Sequence, residues 1–184
     1  RDDLHAVALR ALIHNHHFHI KPGNEQETML DRHIQTANGS FLWTILACEL
    51  LNAQKSADGV TSTLKDLETN KYPVQSLVHK LFTSFEPTNG AKTLLSWVLA
   101  AERPLTTEEI HILFTVDVKN NTITDKGVNV HEILKTLKPF LSMNEHIVRF
   151  RHPIVHSALH ELAQKNQISI PLKDSETELL LRVL

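Results

Sequence analysis

Met143-Asn144-Glu145-His146-Ile147-Val148-Arg149-Phe150-Arg151-His152-Pro153 is the stretch on which the fold turns. From Glu145 to His152 apolar and polar residues alternate, which is the period of a half-exposed strand, and Met143-Asn144-Glu145 supplies a turn that would make it one arm of a hairpin. Three helical periods precede it. Over 91–102 the buried stripe is Leu94, Leu95, Trp97, Val98 and Leu99, and Arg103-Pro104-Leu105 stops the helix. Over 108–114 a second helix follows, capped by Thr106 or Thr107, with Glu108 and Glu109 at its positive end. Over 128–141 a third helix turns Val130, Ile133, Leu134, Leu137, Phe140 and Leu141 inward. Between the last two, 116–124 is polar and β-prone, with Asn120-Asn121 as a turn candidate. A closing helix is expected over 156–164. Helix, turn, helix, helix and then a β-ribbon is the plan of a winged helix.

The first half reads as helices throughout. Leu4, Val7, Ala8, Ala11 and Leu12 give 2–13 a helical stripe; Phe18 and Ile20 suggest a short strand closed by Pro22-Gly23. Met29, Leu30, His33 and Ile34 restore the helical period, and Asn38-Gly39-Ser40 is a helix stop followed by a cap. The run 41–51 is apolar around most of its circumference, so it should be buried on most sides. After a polar connection over 52–59, Val60, Leu64 and Leu67 line a small helix, and 73–85 starts another at Pro73. Pro87-Thr88-Asn89-Gly90 is the clearest punctuation in the chain and marks a boundary between two subdomains. The fold expected is mainly α, with a small β-ribbon in the second subdomain. The final stretch is a tail with a break at Pro171, and 178–184 has the spacing to begin another helix.

Composition sets the outer limits. At 184 residues and 41% hydrophobic the chain can bury a core as one domain or two small ones. No apolar run reaches the ~18 residues that a membrane span needs. The single cysteine, Cys48, allows neither an internal disulfide framework nor a cysteine-rich zinc module. A net charge of -2 is far from the basic balance of a dedicated nucleic-acid binder. The five glycines form neither a GxxxxGK[ST] loop nor a GxGxxG turn. The sequence opens on Arg1 with no charged-then-apolar leader, which reads as a piece of a larger cytoplasmic protein.

Three elements together resemble the NACHT/STAND class of signalling ATPases, in particular the fungal heterokaryon-incompatibility and ankyrin-repeat type. Thr93-Leu94-Leu95-Ser96-Trp97-Val98-Leu99-Ala100-Ala101-Glu102-Arg103-Pro104-Leu105-Thr106 is similar to the segment that opens the family's winged-helix domain. Asn38-Gly39-Ser40-Phe41-Leu42-Trp43 is similar to its xGxFLW element, which begins a helix of the small helical domain. Val148-Arg149-Phe150-Arg151-His152-Pro153 resembles the strand-to-helix junction that carries its nucleotide-sensing histidine. The elements stand in the family's order. The resemblance implies that 1–23 is the end of an ATPase core, 24–88 a helical lid, 89–165 a winged-helix domain and 166–184 a tail or the start of a further helical region. It implies a regulatory, nucleotide-sensing and autoinhibitory part, not catalytic by itself, because the phosphate loop and acidic strand would lie upstream. ADP or ATP would be bound only in the intact parent. Its partners would be the upstream nucleotide-binding core of the same protein and downstream repeats, with a homo-oligomer on activation; neither a membrane nor nucleic acid is expected.

The same resemblance nominates contacts to ADP. His152 would bond the β-phosphate and hold the molecule closed, since an imidazole donates a hydrogen bond and can carry positive charge. Pro153 stands where plant and apoptotic relatives carry an aspartate. The competing reading of His152 is a ring bonded to backbone at a strand end. Gly39 and Phe41 would lie beside the adenine, with Phe41 packed on the purine; the competing reading of Phe41 is a core aromatic. His14, His16, His17 and His19 invite a zinc reading that no cysteine or carboxylate completes. His152, His156 and His160 stand four apart, but the glutamate of an HExxH motif is missing, so a polar helix face is expected. Two other functions stay in view: a winged-helix nucleic-acid binder using Lys135, Lys138, Arg149 and Arg151, with Glu132 among them, and a plain protein-interaction module.

Overall fold

The computed structural model describes residues 2–12, 15, 25–117, 122–123, 128–170 and 172. They form a mainly helical protein with a small three-stranded antiparallel sheet. The chain divides into two compact units, Arg1–Phe85 and Glu86–Leu184. Among the described residues, no helix is long and apolar enough to cross a membrane.

Unit 1 holds α1 (Asp2–Leu12), α2 (Glu25–Thr36), α3 (Phe41–Asn52), α4 (Ala57–Asn70) and α5 (Val74–Phe85). The apolar run of α3 makes it the centre: Trp43, Leu46, Ala47, Cys48, Leu50 and Leu51 are buried, and α1, α4 and α5 all pack on it. Gly39 sits at φ 81, the left-handed region that favours glycine, and lets the chain reverse between α2 and α3. Ser40 then caps α3 by accepting the Trp43 N–H at 3.2 Å. Helix α4 is longer than its three buried positions Val60, Leu64 and Leu67 suggest, because Ser56 caps it inside the stretch read as a connection. The indole of Trp43 donates to the Tyr72 carbonyl at 2.7 Å and so pins the α4–α5 connection to α3.

Helix α1 is not set apart from this unit. Leu4, Ala8 and Leu12 share one core cluster with Ile34, Cys48, Leu51, Val60 and Leu64. Packing therefore joins α1 to the helices that follow it. The strand expected over 18–21 lies outside the described residues.

Unit 2 runs α6 (Asn89–Ala100), β1 (Leu105–Thr106), α7 (Thr107–Thr115), β2 (Val116–Asp117), β3 (Thr122–Ile123), α8 (Val130–Thr136), β4 (Leu141–Asn144), β5 (Ile147–Phe150) and α9 (Pro153–Gln164). Strands β4 and β5 form the hairpin, from Leu141↔Phe150 to Asn144↔Ile147, and β1 pairs on the other side of β5 through Leu105↔Val148. A separate antiparallel pair joins β2 and β3. The core is built from Leu94, Leu95, Trp97, Ile110, Phe140, Val148, Val155 and Leu159, all buried. The Trp97 and Phe114 rings meet edge to face at 4.7 Å. Ile168 and Ile170, in what was read as tail, are buried too.

Three expectations need correction. The helix read over 128–141 ends at Thr136, because Pro139 lacks an N–H and restricts the residue before it, and Leu141 already begins β4. The hairpin turns at Glu145, whose φ is 57, so Met143 and Asn144 belong to a strand. Leu105-Thr106, read as a helix stop, is the two-residue strand β1, too short to leave a period.

Candidate functional site

His152 follows β5 by two residues and is the N-cap of α9, with φ -154 and ψ 143. Pro153 occupies the first turn, where its fixed φ suits a helix start and its missing N–H costs nothing. The ring does the capping: Nδ1 accepts the Ile154 N–H at 3.1 Å, and the carbonyl of His152 accepts the Val155 N–H at 3.0 Å. In a neutral imidazole whose Nδ1 is an acceptor, the proton sits on Nε2. That nitrogen is then a hydrogen-bond donor at the positive end of a helix of 12 residues. The backbone-bonded reading of His152 is thus present in the structure, and it uses one nitrogen of the two.

The next histidines on α9 form a packed row. The His156 ring meets Phe150 edge to face at 5.0 Å and stacks on His160 at 6.1 Å with an interplanar angle of 14°. Among the described residues, no group of three or more His, Cys, Asp or Glu side chains could hold a metal. His14, His16, His17 and His19 lie outside the described residues.

Gly39 and Phe41 belong to unit 1, and His152 to unit 2. No atom lies within 4 Å of a Cβ built on Gly39, so its conformation and not its surroundings calls for glycine. Phe41 corrects the reading as a core aromatic: it opens α3 with 49% of its surface exposed.

Two features of unit 2 bear on binding. A cleft of about 520 Å³ between α8 and β4 is lined by Leu134, Leu141, Met143, Lys135, Lys138 and Arg151, among others. Arg151 donates to the Lys138 carbonyl at 3.3 Å, which ties the cleft's edge to the end of β5. Glu132, also in the lining, pairs with Lys135 at 3.6 Å. Arg149 takes no part in this lining; it stands opposite Ser142 on the hairpin. A second hollow, near the starts of α7 and α8, is lined by Glu108, His111 and His131. There the Glu108 carboxyl is held below its ordinary range, chiefly by its own backbone N–H and also by Thr107.

Cys48 offers no nucleophile. Burial, aided by the charge of Glu49, pushes its thiol up to about 12, so it stays protonated.

The cleft is what reading the residues in order missed. Its cations were visible in the sequence, but Leu141 and Met143 had been placed on a helix and in a turn. Only the Pro139 signal, given its full weight, would have put them on a strand facing α8. No protein-family model matches the chain, and neither a curated protein nor a solved structure matches it.

Proposed function

We propose that this chain is the helical-lid and winged-helix part of a NACHT/STAND-class signalling ATPase, and that it senses nucleotide without catalysing its hydrolysis. The observation that carries the reading is the state of His152. Its ring is fixed at the junction of β5 and α9 by the bond to Ile154, which leaves Nε2–H as the donor beside a helix start. That is a suitable arrangement for a phosphate oxygen. The order of elements in unit 2 supports the winged-helix assignment: α6, α7 and α8, then the β4–β5 hairpin with β1 added at its edge, then α9. The exposed Phe41 after a left-handed Gly39 supports an adenine-facing role for the start of α3.

The mechanism is a switch. In the ADP form, the upstream core presents the β-phosphate to Nε2 of His152 and the molecule stays closed. Exchange to ATP removes that differential contact, so the open, oligomerising form gains population. The test uses the intact parent and compares His152→Asn with the native protein. Asparagine keeps a capping acceptor, but its amide NH2 stops one atom short of the position of Nε2. The reading expects faster ADP release and activation without the trigger; unchanged ADP retention together with unchanged activation would sink it.

A further inference from the structure

The cleft between α8 and β4 has a lining of two kinds. Leu134, Leu141 and Met143 are apolar, and Met143 is 46% exposed there. Lys135, Lys138 and Arg151 are cationic, against the single carboxylate of Glu132. A volume of about 520 Å³ falls within the ~300–1,000 Å³ range of binding clefts. A phosphate backbone would use the cations but has nothing apolar to set against the leucines and methionine. A peptide bearing both carboxylates and large apolar side chains would use the whole lining.

The chain itself contains such a peptide. Asp174, Glu176 and Glu178 alternate with Ser175 and Thr177, and Leu179-Leu180-Leu181 follow at once. No other stretch of the sequence sets three carboxylates directly before three leucines. Reach is not limiting: nine residues from Leu172 to Leu181 extend up to about 30 Å, against a radius of gyration of ~13 Å for a unit of about 100 residues.

We propose that the cleft between α8 and β4 is a docking site for the chain's own segment 173–184, whose carboxylates meet Lys135, Lys138 and Arg151 and whose leucines meet Leu134, Leu141 and Met143. This goes beyond the nucleotide-sensing reading and does not depend on it. Docking would cover the apolar lining and place the segment's occupancy under the control of anything that competes for the same cations. An acidic peptide or a change in salt would release it.

Zero-length carbodiimide coupling of the full chain tests this, because it joins amines only to carboxylates in contact. Lys135–Glu132 and Lys165–Glu161 are built-in controls, already paired in the structure. The expected result is intramolecular links from Lys135 or Lys138 to Asp174, Glu176 or Glu178, read by mass spectrometry. Replacing Leu179, Leu180 and Leu181 by serine leaves every amine and carboxylate in place. It should lower those links on the order of tenfold, since the apolar burial is lost, while the control links persist and report that α8 and the end of α9 are intact. Control links without segment links, or segment links only to lysines outside the cleft, would overturn the proposal. So would segment links that the leucine changes leave at full yield. A mixture of isotopically heavy and light chains covers the remaining occupant: links found in heavy–light hybrids would assign the cleft to a second copy and overturn docking within one chain.

Discussion

Nδ1 of His152 accepts the Ile154 N–H at 3.1 Å, so one nitrogen of this ring closes the start of α9 and the other is left for a different task. Capping and phosphate sensing can therefore be pulled apart by substitution. His152→Ala removes the acceptor and should lower the stability of the chain by about 1 kcal/mol, while His152→Asn, a good cap, should stay within about 0.5 kcal/mol of the native chain. Denaturant titration measures both. If alanine is as stable as the native residue, the ring bond contributes nothing to the helix start.

What the sequence made legible follows from how local each signal is. The period of α3 and the stop-and-cap at Asn38-Gly39-Ser40 depend on neighbours within a few residues, and both stand where the periodicity placed them. The capping box of α7 is equally local: Thr106 and Glu109 each bond the other's backbone. One misreading involves a partner far along the chain, another a local signal given too little weight. Leu105-Thr106 is a strand only because β5, some forty residues on, offers it an edge. Leu141 and Met143 have apolar side chains that suit a helix face as well as a strand, and Pro139 decides between them. The exposure of Phe41 was not legible either, since an aromatic at the head of an apolar helix looks like core until the packing is known. For His152 the residue type was visible, but not which nitrogen is engaged; that needed the geometry of the cap.

Trp97 should dominate the stability of unit 2. It is almost fully buried and meets Phe114 edge to face at 4.7 Å. Trp97→Ala would leave a large cavity in α6's packing and cost about 3–5 kcal/mol. That is a large fraction of the stability of a small domain. Trp97→Phe, which keeps an aromatic ring against Phe114, should cost clearly less. Thermal unfolding of the two variants beside the native chain decides the order; equal losses would mean that the ring contact is incidental.

Cys48 gives a readout confined to unit 1. Its side chain is buried in the cluster with Ala8, Leu51 and Leu64, and burial raises its thiol to about 12. At neutral pH the native chain should react with an aromatic disulfide reagent only through opening of that cluster. The rate should fall by orders of magnitude relative to the chain in denaturant and should rise when α1 is destabilised by Ala8→Asp. Fast labelling of the native chain would show that α1 does not cover α3 in solution.

Glu109 should give unit 2 an acid-sensitive increment of stability. Its carboxylate accepts from Nη1 of Arg103 at 3.1 Å, from Nη2 of the same guanidinium, and from the Thr106 N–H at 2.8 Å. Those bonds, Arg103 first, bring its pKa from an ordinary 4.5 to about 2. A folded value below the unfolded one means that the ionised carboxylate stabilises the fold. The increment is present in full above the unfolded value and fades as pH falls from about 5 toward 2. Because the Glu109 side chain is 34% exposed, solvent screening takes most of the apparent gain, and about 1 kcal/mol is a fair size for what is left. Glu109→Gln keeps an acceptor for Thr106 but not the charge. The stability difference between native chain and variant should therefore hold level from pH 7 to about 5 and shrink from there to pH 3, where urea midpoints remain measurable. Every other carboxylate is common to both proteins and cancels from that difference. A gap that stays constant over the range would assign the loss to shape and not to charge, and would remove Arg103 from the account of how α7 begins.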